Sequence, residues 1–273
     1  MSVAASAKSD KSFQTFAPEN SRKYSAEAQA LDQGITKAEF NKVLDQVKNV
    51  YAPIVKKSKR NLYISRKWND DTVNASAQQF FNYDIINMYG GLARHPMMTS
   101  DGFMLVACHE TGHHIGGAPK VGGDSWASNE GQSDYFGTLQ CMKNILASED
   151  NVSWVAGRSI DPVVVAACNR VYPAQKDAAL CERVAVAGFV LGNVLSDLRG
   201  TEAVSFSTPD MTVVDQMDDD HPAAQCRLDT YFAGALCNVS PTAALNDTDA
   251  TVGTCNLGDG REFGSRPACW FKR

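Results

Sequence analysis

His109-Glu110-Thr111-Gly112-His113 completes an H-E-x-x-H motif inside the run Cys108 to His114. An α-helix turns about 100° per residue, so two histidines four positions apart stand about 40° apart on one face. That spacing lets two imidazoles reach one metal ion, with Glu110 beside them and placed to take a proton from an attacking water. The pattern is the usual helix-borne zinc site of a metallopeptidase.

Such a site needs a third ligand. Residues 129–134 read Asn-Glu-Gly-Gln-Ser-Asp, which places Glu130 17 residues beyond His113 and Asp134 four beyond Glu130. Glu130 completes a His, His, Glu triad. Asp134, on the same helical face, is placed to accept the second ring N–H of a zinc histidine and fix its tautomer. The longer metzincin motif, H-E-x-x-H-x-x-G-x-x-H, matches as far as Gly116 but meets Pro119 at its last ligand position. Proline cannot bind zinc. His114, next to His113, points about 100° away and reads as a packing residue rather than a ligand.

The chain has 273 residues, 44% of them hydrophobic, enough to bury a core in one main domain. A net charge of −5 argues against a nucleic-acid partner. No uninterrupted apolar stretch reaches membrane-spanning length, and the most apolar one, Val184 to Leu195, contains glycine and asparagine. Eight cysteines, none in a C-x-x-C pair, suit disulfides in an oxidising compartment and predict a periplasmic or secreted protein. The loop between Cys255 and Cys269 has little else to hold it, which points to a bridge between those two. The first residues lack the basic start and apolar core of a signal peptide, so the chain reads as a mature form.

Residues 1–25 are small and polar and read as a flexible N-terminal arm. Residues 26–238 carry the main domain, and residues 239–273 a cysteine-containing loop region. Phe40, Val43, Leu44, Val47 and Val50 recur at helical spacing behind a capping box of Thr36 and Glu39. Leu62 to Ile64 and Ile85 to Tyr89 read as strands of a small sheet beside the motif helix. That helix is expected over Gly102 to His114 behind N-cap residues Thr99 to Asp101. A second helix, over Ser125 to Ala147, carries Glu130 and Asp134. Helices are also expected around 163–171, 177–198 and 222–237. The fold class is α+β, mostly helical.

H-E-x-x-H followed by E-x-x-x-D resembles the gluzincins, and more closely a soluble member of the CAAX prenyl protease and heat-shock protease family. Val73 to Ala77 is similar to that family's Asn-Ala element, and Gly90-Gly91-Leu92 to its stretch before the active-site helix. His221-Pro222 with Arg227 matches its H-P-x-x-x-x-R element. The resemblance covers about Trp68 to Arg227, without the membrane helices of the best-known relatives. It implies a zincin-like endopeptidase with one zinc ion per chain on His109, His113 and Glu130, and Glu110 as catalytic base. It also implies that His221 and Arg227 help the substrate or its oxyanion, and that Asn74 and Ala75 contact the substrate.

The expected partner is a peptide or protein, bound by strand addition at an edge near Tyr83 to Tyr89. Two other classes compete. One is a non-catalytic zinc-binding protein of chaperone-like or interaction type, against which the retained Glu110 weighs. The other is another zinc amide hydrolase, such as one acting on cell-wall peptide. Asp218-Asp219-Asp220 reads as a solvated loop rather than a calcium site.

Overall fold

The computed structural model describes residues 13–26, 34–123 and 125–273. A four-stranded sheet is assembled from β1 (Phe13–Thr15), β2 (Asn61–Lys67), β3 (Ala75–Phe80) and β4 (Tyr83–Tyr89) in the order β1-β3-β4-β2. β3 and β4 form a hairpin, β2 runs parallel to β4, and β1 pairs antiparallel with β3. The expected substrate edge near Tyr83 to Tyr89 does not exist, because β4 is central and paired on both sides. The sheet's edges are β1 and β2, and β1 lies along β3.

β1 also corrects the expected N-terminal arm. Residues 13–17 join the sheet and bury Phe16 and Ala17 completely; residues 1–12 lie outside the described residues.

Helix α1 (Lys37–Lys57) starts at the capping box foreseen in the sequence. The Thr36 hydroxyl accepts from the Glu39 N–H, and the Glu39 carboxylate accepts from the Thr36 N–H. Its apolar stripe, Phe40 to Val55, is buried, and Phe40 touches both Trp68 and Phe103. A short turn, α2 (Gly90–Ala93), leads from the sheet toward α3 (Ser100–Ile115), the motif helix. Every residue of α3 from Gly102 to His114 is buried. A helix buried on all sides is a central helix, and α1, the sheet, α4 (Glu130–Phe136) and α8 (Gln175–Arg199) pack around it.

The second predicted helix begins at Glu130 rather than Ser125, capped by the Asn129 side chain on the Gln132 N–H. It continues through a π turn, Gly137–Cys141, into α5 (Met142–Leu146). Short α6 (Asn151–Ala156) follows, then α7 (Pro162–Val171), α8 and α9 (Ala224–Leu236). By length and composition α8 alone among the described helices is apolar enough to cross a membrane, but 67% of its apolar window is buried inside the protein. Gly188 and Gly192 let it lie against Tyr231 and Leu228 of α9, where a Cβ on Gly188 would come within 2.6 Å of Tyr231 Cβ.

Four disulfides use all eight cysteines. Cys108–Cys141 ties the motif helix to the π turn, and Cys168–Cys181 ties α7 to α8. The expected Cys255–Cys269 bridge is not made. Cys269 pairs with Cys226 at the start of α9 and Cys255 with Cys237 at its end. The C-terminal loops are therefore fastened to both ends of one buried helix rather than to each other. Such pairing suits an oxidising, extracellular environment.

Candidate metal centre

His109 and His113 come from the third and fourth turns of α3, and Glu130 and Asp134 from the facing turns of α4. The two helices approach closely at Gly112, where a Cβ would meet Ser133 Cα and its carbonyl oxygen at 3.0 Å. The glycine inside the motif thus sets the distance across which the carboxylates reach the imidazoles.

The His109 Nδ1–H donates to Asp134 Oδ1 at 2.7 Å, and the His113 Nδ1–H donates to the Ser128 carbonyl at 2.8 Å. Both acceptors can only accept, so each Nδ1 carries the proton and each Nε2 is free for a ligand. Those Nε2 atoms lie 3.1 Å apart, with Glu130 Oε2 3.3 Å from one and Oε1 3.4 Å from the other. Zinc bonds of roughly 2.0–2.1 Å at tetrahedral angles put neighbouring donors about 3.3 Å apart. The donor set therefore fits a tetrahedral ion, and the His109, His113 and Glu130 group could hold a metal.

Burial and the surrounding charges act on the protonation of this group in opposite directions. Burial opposes charge on His109, yet Asp134 and Glu130 pull its pKa up to about 9. Burial holds His113 down to about 3, neutral and ready to ligate. Burial also opposes charge on Glu130 and Asp134, but the groups around them outweigh it. His221, His113 and His109 hold Glu130 well below the usual range, and Arg227 with His109 lowers Asp134. A metal ion would displace the His109 proton.

Glu110, next to the first ligand, has both carboxylate oxygens buried without a hydrogen-bond partner, as is Glu130 Oε2. Burial lifts Glu110 to about 8. Unpaired buried carboxylate oxygens are costly, and these lie beside the group that could hold a metal ion.

Arg227 is bound first of all to Asp134. It is fully buried, and Nε and Nη2 each donate to Asp134 at 2.7 Å. Most of its fork thus holds the carboxylate that orients His109; Nη2 also lies 3.4 Å from His109 Nδ1, and Nη1 donates to the Phe16 carbonyl at 2.5 Å. His221 Nε2 lies 3.6 Å from Glu130 Oε2 and 2.7 Å from the Thr15 carbonyl oxygen. Arg199 donates to the His221 carbonyl and steadies this loop. Asp219 accepts from the Gly122 N–H and the Asn129 side chain, which fastens the loop before His221 to the cap of α4. The three aspartates form no metal group among the described residues.

Asn74 and Ala75 lie at the start of β3, and Asn74 is bonded to the backbone of Ala17. His114 points away from the metal group, as expected. It stacks on Trp126 and contacts the Ile85 carbonyl.

Two participants escaped the sequence reading. The Ser128 carbonyl sits in what was read as helix, and nothing local marks it. Residues 15–17 did leave a signal, an apolar Phe16-Ala17-Pro18 inside an otherwise polar arm.

Compared with protein-family models, curated proteins and solved structures, the chain has no match. The function must be argued from this geometry.

Proposed function

We propose that the protein is a zinc-dependent endopeptidase of zincin-like, gluzincin type, working outside the cytoplasm on peptide or protein substrates. The observation that carries this is Glu110, a buried carboxylate with no partner beside a three-ligand group of tetrahedral spacing. A site that merely held a metal for stability would close its fourth position with another ligand and would not keep an unsatisfied base there. This weighs against the non-catalytic reading.

Bound zinc would polarise the scissile carbonyl and lower the pKa of water. Glu110 takes the proton of the attacking water and hands it to the leaving amine. Its raised pKa suits both halves of that transfer. His221 Nε2 already donates to a peptide carbonyl at the edge of the group, so it can steady a developing oxyanion. Asp134 keeps His109 in the ligating tautomer, and Arg227 keeps Asp134 ionised and in place. Asn74 offers an amide fork to a peptide backbone.

The test compares the zinc-loaded protein with its Glu110→Gln variant on an unfolded protein substrate, with products read by mass spectrometry. Loss of the general base lowers turnover roughly 10²–10⁴-fold while zinc stays stoichiometric. Equal cleavage by both proteins removes Glu110 from its role. Absence of cleavage by the zinc-loaded chain and by its Phe16→Ala form overturns the endopeptidase reading.

A further inference from the structure

The metal group is closed to solvent. His109, Glu110 and His113 have no exposed surface and Glu130 only 2%, although an endopeptidase must admit a peptide there. The chain itself supplies part of that cover. Phe16 sets its ring edge-on to His109 with centroids 5.5 Å apart, and the Arg227 guanidinium lies over its face.

How this segment is held says more than its burial. β1 adds to β3 as an antiparallel strand, and the ladder extends to the Phe16 N–H on the Ala75 carbonyl at 3.1 Å. Side chains then grip three successive peptide units. His221 donates to the Thr15 carbonyl, Arg227 to the Phe16 carbonyl, and Asn74 both donates to the Ala17 carbonyl and accepts its N–H at 3.0 Å. A permanent strand needs the ladder alone. Side chains from three distant parts of the chain all read backbone groups, and two of them, His221 and Arg227, border the metal ligands, which is what binding an extended peptide beside that group requires. Beyond Ala17 the chain leaves through Glu19, Ser21 and Arg22, which are exposed. On the outer side of β1 a cavity of about 280 Å³ remains, lined by Phe13, Thr15, Glu130 and His221.

We propose that Thr15 to Ala17 occupy the protein's own substrate track. The track takes an extended peptide, antiparallel to β3, with a bulky apolar side chain in the Phe16 pocket and a small residue after it, once this segment has left. Catalytic use of the track rests on the endopeptidase reading; occupancy of it does not.

The experiment therefore reads binding and turnover separately. A fluorescein-labelled peptide with the sequence of residues 13–19, Phe-Gln-Thr-Phe-Ala-Pro-Glu, is titrated by anisotropy into zinc-loaded full-length Glu110→Gln protein with and without Phe16→Ala. Removing the buried ring weakens the internal segment, so the Phe16→Ala chain binds the peptide at least tenfold tighter than the chain that retains Phe16. A peptide with alanine in place of its second phenylalanine binds at least tenfold more weakly. Equal affinity for both chains, or no binding by either, overturns the proposal.

Near-ultraviolet circular dichroism checks that the variant is folded. If it is not, a site-specific protease sequence inserted after Glu19 is cut in the folded full-length protein. Peptide binding must then appear as the fragment is released, and its failure to appear overturns the proposal equally. Turnover is compared in chains that keep Glu110. Gain of peptide binding with no turnover retains the track and removes the endopeptidase reading. Turnover by the native chain equal to that of Phe16→Ala removes the self-occlusion.

Discussion

Asp134→Asn tests the support of the centre more sharply than loss of a ligand would. Asp134 has no exposed surface, accepts two hydrogen bonds from Arg227 at 2.7 Å each, and accepts a third from His109 Nδ1–H at 2.7 Å. The amide keeps one acceptor oxygen, but its NH₂ must face either an Arg227 N–H or the His109 N–H. It also leaves the buried guanidinium with only Glu130, 3.9 Å from Nη2, as a nearby counter-charge among the described residues. Breaking a buried pair in this way costs about 3–5 kcal/mol. Loss of the carboxylate behind a metal histidine lowers metal affinity roughly 10–100-fold, about 1.4–2.7 kcal/mol more once zinc is bound.

The two effects separate in urea unfolding with the disulfides intact, run once with chelator and once with excess zinc, alongside a chelator-competition measurement of zinc affinity. The metal-free protein should lose about 3–5 kcal/mol, and the zinc-loaded protein that amount plus about 1.4–2.7 kcal/mol. Asp134→Asn/Arg227→Met should be more stable than the sum of the two single changes predicts, by about 1–2 kcal/mol, because it leaves neither charge stranded. A metal-free loss below about 0.5 kcal/mol, with no coupling in the cycle, would refute the assignment of Asp134 and Arg227 as an interdependent buried pair.

Gly131→Ala should destabilise the protein by about 1–3 kcal/mol, because its new Cβ would lie 2.1 Å from the Trp270 ring. Glu130 is its neighbour, so zinc affinity should fall too; an unchanged unfolding midpoint would contradict this packing. His95 accepts the Met97 N–H on Nδ1 and donates from Nε2 to Asp197, and burial lowers its pKa. The unfolded chain therefore takes up the proton more readily than the folded one. The stability contributed by neutral His95 is present above its unfolded pKa of about 6.5 and is lost as pH falls below it. The unfolding free energy of His95→Asn should show a shallower fall than the native protein between pH 7.5 and 5; parallel curves would remove His95 as a cause.

What could be read from the sequence follows from the range of the interactions involved. The capping box at Thr36 and Glu39, the helix carrying His109 and His113, and the spacing of Glu130 from Asp134 are set within one or two helical turns. Local patterning reports them. The order of strands is different, since alternation marks β4 as a strand but does not say that β2 and β3 flank it. The start of α4 was misplaced by five residues because residues 125–129 are used elsewhere. The Ser128 carbonyl orients His113, and Asn129 spends its side chain on a cap. Neither use has a compositional mark.

The same reasoning explains why the N-terminal segment read as an arm. Its polar composition predicts mobility only if no surface elsewhere offers it partners. Phe16 and Ala17 find theirs at Ala75, Asn74, His109 and Arg227, as far as 211 residues along the chain. Those partners are functional candidates in their own right, which gives the miss a physical meaning. A surface shaped to take the backbone of a peptide from another chain has no means of refusing an equally extended stretch of its own. A tethered stretch also competes at an effective concentration of order millimolar for a short linker. If the track serves a substrate as proposed, a free peptide would have to exceed that concentration, or bind more tightly than Phe16 and Ala17 do, before it reached Glu110.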